Sequence, residues 1–249
     1  MLEQCQFPTL DEPFATALRE GVAYVIERYK PLAIIAAGSI LRGEGDIYSD
    51  IDMYVLFEGN YRQLVHKRFN GIAFQLFCNP LQRIPRYFKE ERTRVEGGNS
   101  TAHMLATGYV ILDRDPRIAE IRQQAHEALQ QPPHPNPEML QHFRYQAVDG
   151  LENVLDLRES DPDMAMIIMG ETLTKMLRYY FLKQGQYIPR HKDYLKIIRE
   201  DDPELAALLH LLFAAQDDSR YDILLQIADK TIEVREFFEY EWQPEEVQP

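Results

Sequence analysis

Cysteine is scarce in this chain. Cys5 and Cys78 are the only two in 249 residues, far apart and without metal-ligand spacing, which excludes a disulfide framework and gives no support to a zinc site. Both are expected as reduced thiols. No apolar run approaches the length of a membrane-spanning helix. The N-terminus, with Glu3, Asp11 and Glu12, lacks the basic segment and hydrophobic stretch of an export leader, so a cytoplasmic protein without a membrane partner is expected. Positive charge is also in short supply: 27 Lys and Arg stand against 40 Asp and Glu, a formal net charge of −13. That balance disfavours an extended nucleic-acid surface, which needs a basic footprint. It suits either plain solubility or an acidic cleft that attracts a cationic small molecule. No internal repeat is visible.

What is present is concentrated in Gly38–Asp52, the stretch GSILRGEGDIYSDID. It follows the apolar run Leu32–Ala37 and leads into another, Met53–Phe57, so a buried strand ends in a Gly-Ser turn and a second strand opens on two carboxylates. Alternation along a strand puts Asp50 and Asp52 on one face, where they repel each other unless a cation lies between them. Hard cations such as Mg²⁺ take oxygen ligands and complete their shell with water and substrate phosphates. Gly38 allows a tight turn and close approach of a phosphate to the backbone. Ser39 offers a hydroxyl and an amide at a possible helix start. Together these groups suit a magnesium nucleoside triphosphate.

Gly38-Ser39, ten intervening residues and Asp50-Ile51-Asp52 resemble the Gly-Ser…Asp-x-Asp motif of the nucleotidyltransferase superfamily, which includes DNA polymerase β and the aminoglycoside adenylyltransferases. Arg42-Gly43 and Ser49 also match the strings of small bacterial members. The resemblance implies that Asp50 and Asp52 are the catalytic, metal-holding pair for Mg²⁺. It also implies that Gly38 and Ser39 bind phosphates and that Arg42 neutralises developing charge, although an exposed loop arginine is an equally ordinary use of that residue.

The coarse organisation is a small mixed β-sheet domain followed by an all-α bundle, an α+β chain. Asp11 is expected to cap a helix whose apolar residues Phe14, Leu18, Val22 and Val25 repeat at helical spacing. Strands are expected at 33–37, 51–57, 71–78 and 109–112, with helix over 80–94 and a short helix from Asn99 or Ser100 to Gly108. The proline-rich Gln131–Pro137 cannot continue a helix and reads as an extended connector, dividing residues 1–131 from 138–249. Beyond it the patterns are helical: a segment from Asp161-Pro162 to Gly185, then helices near 191–200, 203–215 and 220–239, with residues 245–249 fraying at the end.

The string Gly185–Asp193 is loosely similar to a Gly…Pro…Lys-Asp segment of aminoglycoside adenylyltransferases, which makes Lys192 a candidate phosphate ligand; an exposed lysine at a helix start is the alternative. Residues 96–108 resemble uncharacterised relatives without an assigned role, and His103 there is more simply a structural histidine. One position departs from the superfamily. Where a third carboxylate is usual, the pattern places Gln75, which is a poor Mg²⁺ ligand and cannot act as a base. Glu90, Glu91 and Glu96 are possible substitutes; Asp46 reads as a turn residue.

The expected activity is transfer of a nucleoside monophosphate, AMP from ATP, onto a hydroxyl of a small molecule such as an aminoglycoside. The alternatives are a catalytically weak nucleotide-binding module and a partner-binding protein similar to the minimal nucleotidyltransferases, which generally lack so long a helical region.

Overall fold

Three of the long C-terminal helices begin the same way, with an Asx residue followed by proline. Asn136, Asp161 and Asp202 each accept, through a side-chain oxygen, the amide two or three residues on, from Glu138, Met164 and Leu205 at 3.0, 3.1 and 2.9 Å. Pro137, Pro162 and Pro203 occupy the first helical position, where no donor is lost and φ is already set. The computed structural model, which describes residues 1–46, 48–95 and 99–241, thus starts these helices where side-chain chemistry dictates.

In chain order the elements are α1 (Phe14–Tyr29), β1 (Ala33–Ala37), β2 (Ile51–Phe57), β3 (Gln63–Phe69), β4 (Ile72–Pro80), α2 (Ile84–Arg94), α3 (Ser100–Thr107), β5 (Tyr109–Asp113) and α4 (Arg117–Leu129), followed by α5 (Pro137–Leu157), α6 (Pro162–Lys183), α7 (Tyr194–Asp201), α8 (Pro203–Ala214) and α9 (Ser219–Thr231). The strands form one mixed sheet in the order β3-β4-β2-β1-β5. β2 and β4 run parallel, and the other pairs are antiparallel. The chain is an α+β protein with its sheet in the N-terminal part and helices beyond it.

Alternation along the central strands feeds two hydrophobic layers. Ile34, Met53, Val55, Phe74 and Leu76 pack with Ala17, Leu18, Val22 and Val25 of α1. Ala33, Ile35, Tyr54 and Leu56 pack with Ile84 and Phe88 of α2, Leu105 of α3 and Ile118 of α4. The central strands are therefore covered on both faces, which is why 33–37 and 53–57 read as unbroken apolar runs. Asp52, two residues before Tyr54, projects on the side of α2, α3 and α4. Cys5 and Cys78 are free thiols, and burial raises the Cys78 thiol to about 11, which makes it a poor nucleophile at neutral pH.

Two compact units emerge: Met1–Arg92 with Asn99–Gln131, and the chain from Pro132 onward together with a short piece beginning at Thr93. The second has its own core, built from residues such as Leu151, Met176, Phe181, Ile198, Leu209 and Leu224. Val95 belongs to it, and the Val95 carbonyl accepts the Ile188 amide at 3.1 Å.

Several sequence expectations need correction. Pro13, not Asp11, occupies the N-cap of α1; Asp11 contributes its carbonyl, to the amides of Phe14 and Ala15, and Glu12 supplies the side-chain acceptor, for the Thr16 hydroxyl at 2.9 Å. Strand β3 and helix α4 have no counterpart in the sequence reading. Helix α9 stops at Thr231 instead of reaching 239, because Glu233 adopts φ +59° and its amide turns back to the Ala228 carbonyl, a left-handed helix stop. The expected fraying of residues 245–249 lies outside the described residues.

Candidate active site

The residue after β1 turns the chain against the entry to β2. Gly38 has φ +106°, and a Cβ there would lie 3.3 Å from the Asp50 carbonyl oxygen and 3.7 Å from Asp52 Oδ2. A side chain would have to adopt a backbone conformation that L residues avoid and crowd the acidic pair as well. In the antiparallel ladder Ala37 stands opposite Asp52. The turn glycine and the two aspartates, twelve residues apart at their closest in sequence, thus form one small surface.

Gln75 completes it. The parallel pairing of β2 and β4 puts Gln75 beside Asp52, and its Nε2 donates to Asp50 Oδ2 at 2.7 Å. An ionised carboxylate only accepts, so the amide nitrogen must face Asp50. Asp50, Asp52 and Gln75 are all half-buried, and the hydrogen bond fixes the first carboxylate on the face that carries the second. Gln75 therefore lies at the acidic pair and presents an amide to it.

The loop between Gly38 and Asp50 is ordered by hydroxyls. Ser39 Oγ donates to Ser49 Oγ at 3.1 Å, and Ser49 Oγ donates to Asp46 Oδ1 at 2.9 Å. The Asp46 carboxylate also takes the Tyr48 amide at 2.9 Å, and these bonds, Ser49 first, hold its pKa below the usual carboxylate range. Asp46 is a turn former, as its loop position suggested. Ser49 is the residue that sequence reasoning undervalued: it couples Ser39 to the Asp46 turn. The helix start at Ser39 is a single 3-10 turn over Ile40–Arg42, and the Ser39 side chain does not cap it. Arg42 Nε pairs with Glu44 Oε2 at 2.9 Å.

Of the substitute carboxylates, Glu91 is employed elsewhere. Both of its oxygens lie 3.1 Å from the Thr101 amide and one lies 3.4 Å from Ser100 Oγ, capping the start of α3; burial raises its pKa despite those bonds. Glu90 pairs with Arg86 Nε at 2.6 Å, and Glu96 lies outside the described residues. Asn99 stands at the N-cap of α3 without a capping side-chain bond; its Nδ2 donates instead to the Ala128 carbonyl at 3.1 Å. His103 is exposed on α3, with Thr107 Oγ1 3.3 Å from its Nδ1. Lys192 is exposed on the one-turn helix His191–Asp193 of the second unit.

Among the described residues no group of three His, Cys, Asp or Glu side chains could hold a metal. A site for a hard cation here would have two protein carboxylates, Asp50 and Asp52, with the remaining positions left to water and ligand oxygens, which is the usual demand of Mg²⁺. The close glycine leaves space for those ligands, so the residues present fit such an ion.

Comparison with known proteins bears on this arrangement directly. Residues 18–97 match the nucleotidyltransferase domain family. The matched segment contains the Gly-Ser turn, both aspartates and Gln75. A solved nucleotidyltransferase-like protein from Exiguobacterium sibiricum 255-15 is similar with a TM-score of 0.50 at 15% identity, over 87% of this chain and 73% of that chain. At that identity the likeness concerns the fold. No curated protein matches the chain. Among the described residues no helix is long and apolar enough to cross a membrane.

Proposed function

We propose that the protein transfers a nucleoside monophosphate, AMP from ATP, onto a hydroxyl group of a small molecule, with pyrophosphate leaving. The observation that carries this reading is the convergence of Gly38, Asp50 and Asp52 within a domain that matches the nucleotidyltransferases. Asp50 and Asp52 would hold Mg²⁺, which would supply charge neutralisation and Lewis-acid assistance at the triphosphate. Gly38 leaves the approach to the pair open, and the Ser39 and Ser49 hydroxyls keep the loop shaped to receive phosphate oxygens. Arg42, once it exchanges Glu44 for a phosphate, supplies a compensating charge. Lys192 is the candidate phosphate contact on the second unit, a role that rests on the sequence resemblance alone.

Gln75 sets the character of the reaction. It orients Asp50 by hydrogen bonding and cannot accept the acceptor's proton, so rate enhancement comes from alignment and electrostatic stabilisation. The same observation favours a second reading, a nucleotide-binding module with weak catalysis. A turnover assay for pyrophosphate, run with ATP, Mg²⁺ and a panel of hydroxyl acceptors that includes aminoglycosides, separates the two. Acceptor-dependent pyrophosphate release supports transfer; saturable ATP binding without release for any acceptor supports the module.

A further inference from the structure

A second cluster of charge lies at the other end of the sheet. β2 and β4 run parallel from the acidic pair, and from Gln75 to Pro80 the chain covers roughly 17 Å at strand rise. Where the two strands end, the loop after β2 and the start of α2 enclose a cleft of about 310 Å³ whose walls include Tyr61, Arg62, Arg83, Arg86, Tyr87 and Glu90. The two segments that carry these walls are tied together, because Gln82 Nε2 donates to the Gly59 carbonyl at 2.6 Å. The Tyr61 ring is braced on Phe57, with centroids 5.1 Å apart, while half of the residue stays exposed.

The charges do not balance internally. Glu90 is matched to Arg86 at 2.6 Å. Glu58, the acid nearest in sequence on the same loop, is engaged by Arg117. Arg62 and Arg83 are exposed and have no carboxylate partner among the described residues. In a chain of net charge −13, two uncompensated guanidinium groups facing one cleft oppose the average field of the protein, and each offers a fork of donors matched to phosphate oxygens. Two tyrosine rings beside them provide apolar faces for a planar group. The volume is at the lower end of small-molecule sites, which suits one nucleotide.

We infer that this cleft is a second ligand site, separate from the acidic pair, that binds a nucleoside monophosphate through Arg62 and Arg83 with its base against Tyr61 and Tyr87. The probe is AMP, titrated calorimetrically into the full chain in EDTA so that metal-dependent binding at Asp50 and Asp52 is silent, with inorganic phosphate as the comparator. Saturable binding is expected. Removing two charged forks in R62A/R83A should weaken it by at least about tenfold, and D52N should leave it unchanged. Both arginines are exposed, so the variants should keep the wild-type melting temperature; R83Q alone, expected to weaken AMP by a smaller factor, serves if the double variant melts lower. AMP should bind at least about fivefold more tightly than phosphate through its base. No saturable AMP binding, affinity indifferent to the arginine substitutions, or loss of binding in D52N each overturns the inference, and equal affinity for phosphate and AMP overturns the nucleotide assignment. None of these outcomes depends on transfer activity at Asp50 and Asp52.

Discussion

Replacing Gln75 by glutamate tests whether the amide at the acidic pair has been understood. The substitution keeps side-chain size and inverts the interaction: a donor 2.7 Å from Asp50 Oδ2 becomes a third carboxylate. The lost bond is to a charged group and contributes about 1.5–3 kcal/mol in typical cases. Two like charges at about 4 Å repel by about 1 kcal/mol in water and about 4 kcal/mol at the effective dielectric of a protein surface. Both residues are half-buried, so solvent screening trims both contributions, and a net destabilisation of about 2–4 kcal/mol is expected in the absence of metal. Urea unfolding of wild type and Q75E in EDTA and in excess magnesium is the assay. Magnesium should restore most of the variant's lost stability while stabilising the wild type much less, because three carboxylates bind the ion better than two. Equal stability of the two proteins in EDTA, or equal gains on adding magnesium, would refute the placement of Gln75. Once an acceptor is known, Q75E should also raise nucleotidyl transfer, since it adds a possible base.

Other consequences concern the turn, the α3 cap and the second unit. Gly38→Ala forces a side chain into φ +106° with its Cβ 3.3 Å from the Asp50 carbonyl; a loss of about 1–3 kcal/mol is expected together with weaker ATP binding, read by urea unfolding and calorimetry. Glu91 has its pKa raised by burial, so the folded state holds its proton more tightly than the unfolded one. Its contribution to stability is full below the unfolded value of about 4.3 and declines as pH rises through the raised folded value. Glu91→Gln should remove that decline from the pH profile of unfolding free energy; an unchanged profile counts against a buried, protonatable cap. Lys192→Ala should weaken ATP binding with no change in melting temperature, and unchanged affinity removes Lys192 from the phosphate site.

The legible parts of the fold are those written in contiguous residues. Ala33–Ala37 and Ile51–Phe57 read as strands because both faces of each are buried, and Asp161-Pro162 marks a helix start through its own side chain, whereas Asn136-Pro137, read as connector, caps and opens α5. β3 escaped because it is an edge strand whose His66, Lys67 and Arg68 face solvent, and charge on an edge is a guard against further pairing. α4 escaped because its buried stripe mixes Ile118 and Ile121 with small residues, Ala125 and Ala128. At the candidate site, the position of Gln75 follows from the alternation pattern, but its bond to Asp50 depends on the parallel register of β2 and β4, which no local pattern encodes. Glu91 sits in an ordinary run of charges, and only the return of the chain at Ser100 and Thr101 turns it into a cap. The arginine cleft joins residues 61–62 to residues 83–90, and neither segment alone distinguishes it from a solvated surface.

The central claim is that Asp50 and Asp52 bind a nucleoside triphosphate through magnesium. Calorimetric titration of ATP into wild type, D50N and D52N, each with and without magnesium, tests it most directly. Magnesium-dependent binding is predicted in the wild type and its loss in both variants, with D52N melting close to wild type because the carboxylates lie at the opening of β2 and not in the apolar layers. D50N, which takes the charge from the Gln75 bond, should melt somewhat below D52N yet stay folded at the assay temperature. Magnesium-dependent ATP affinity that persists unchanged in D50N and D52N would contradict it.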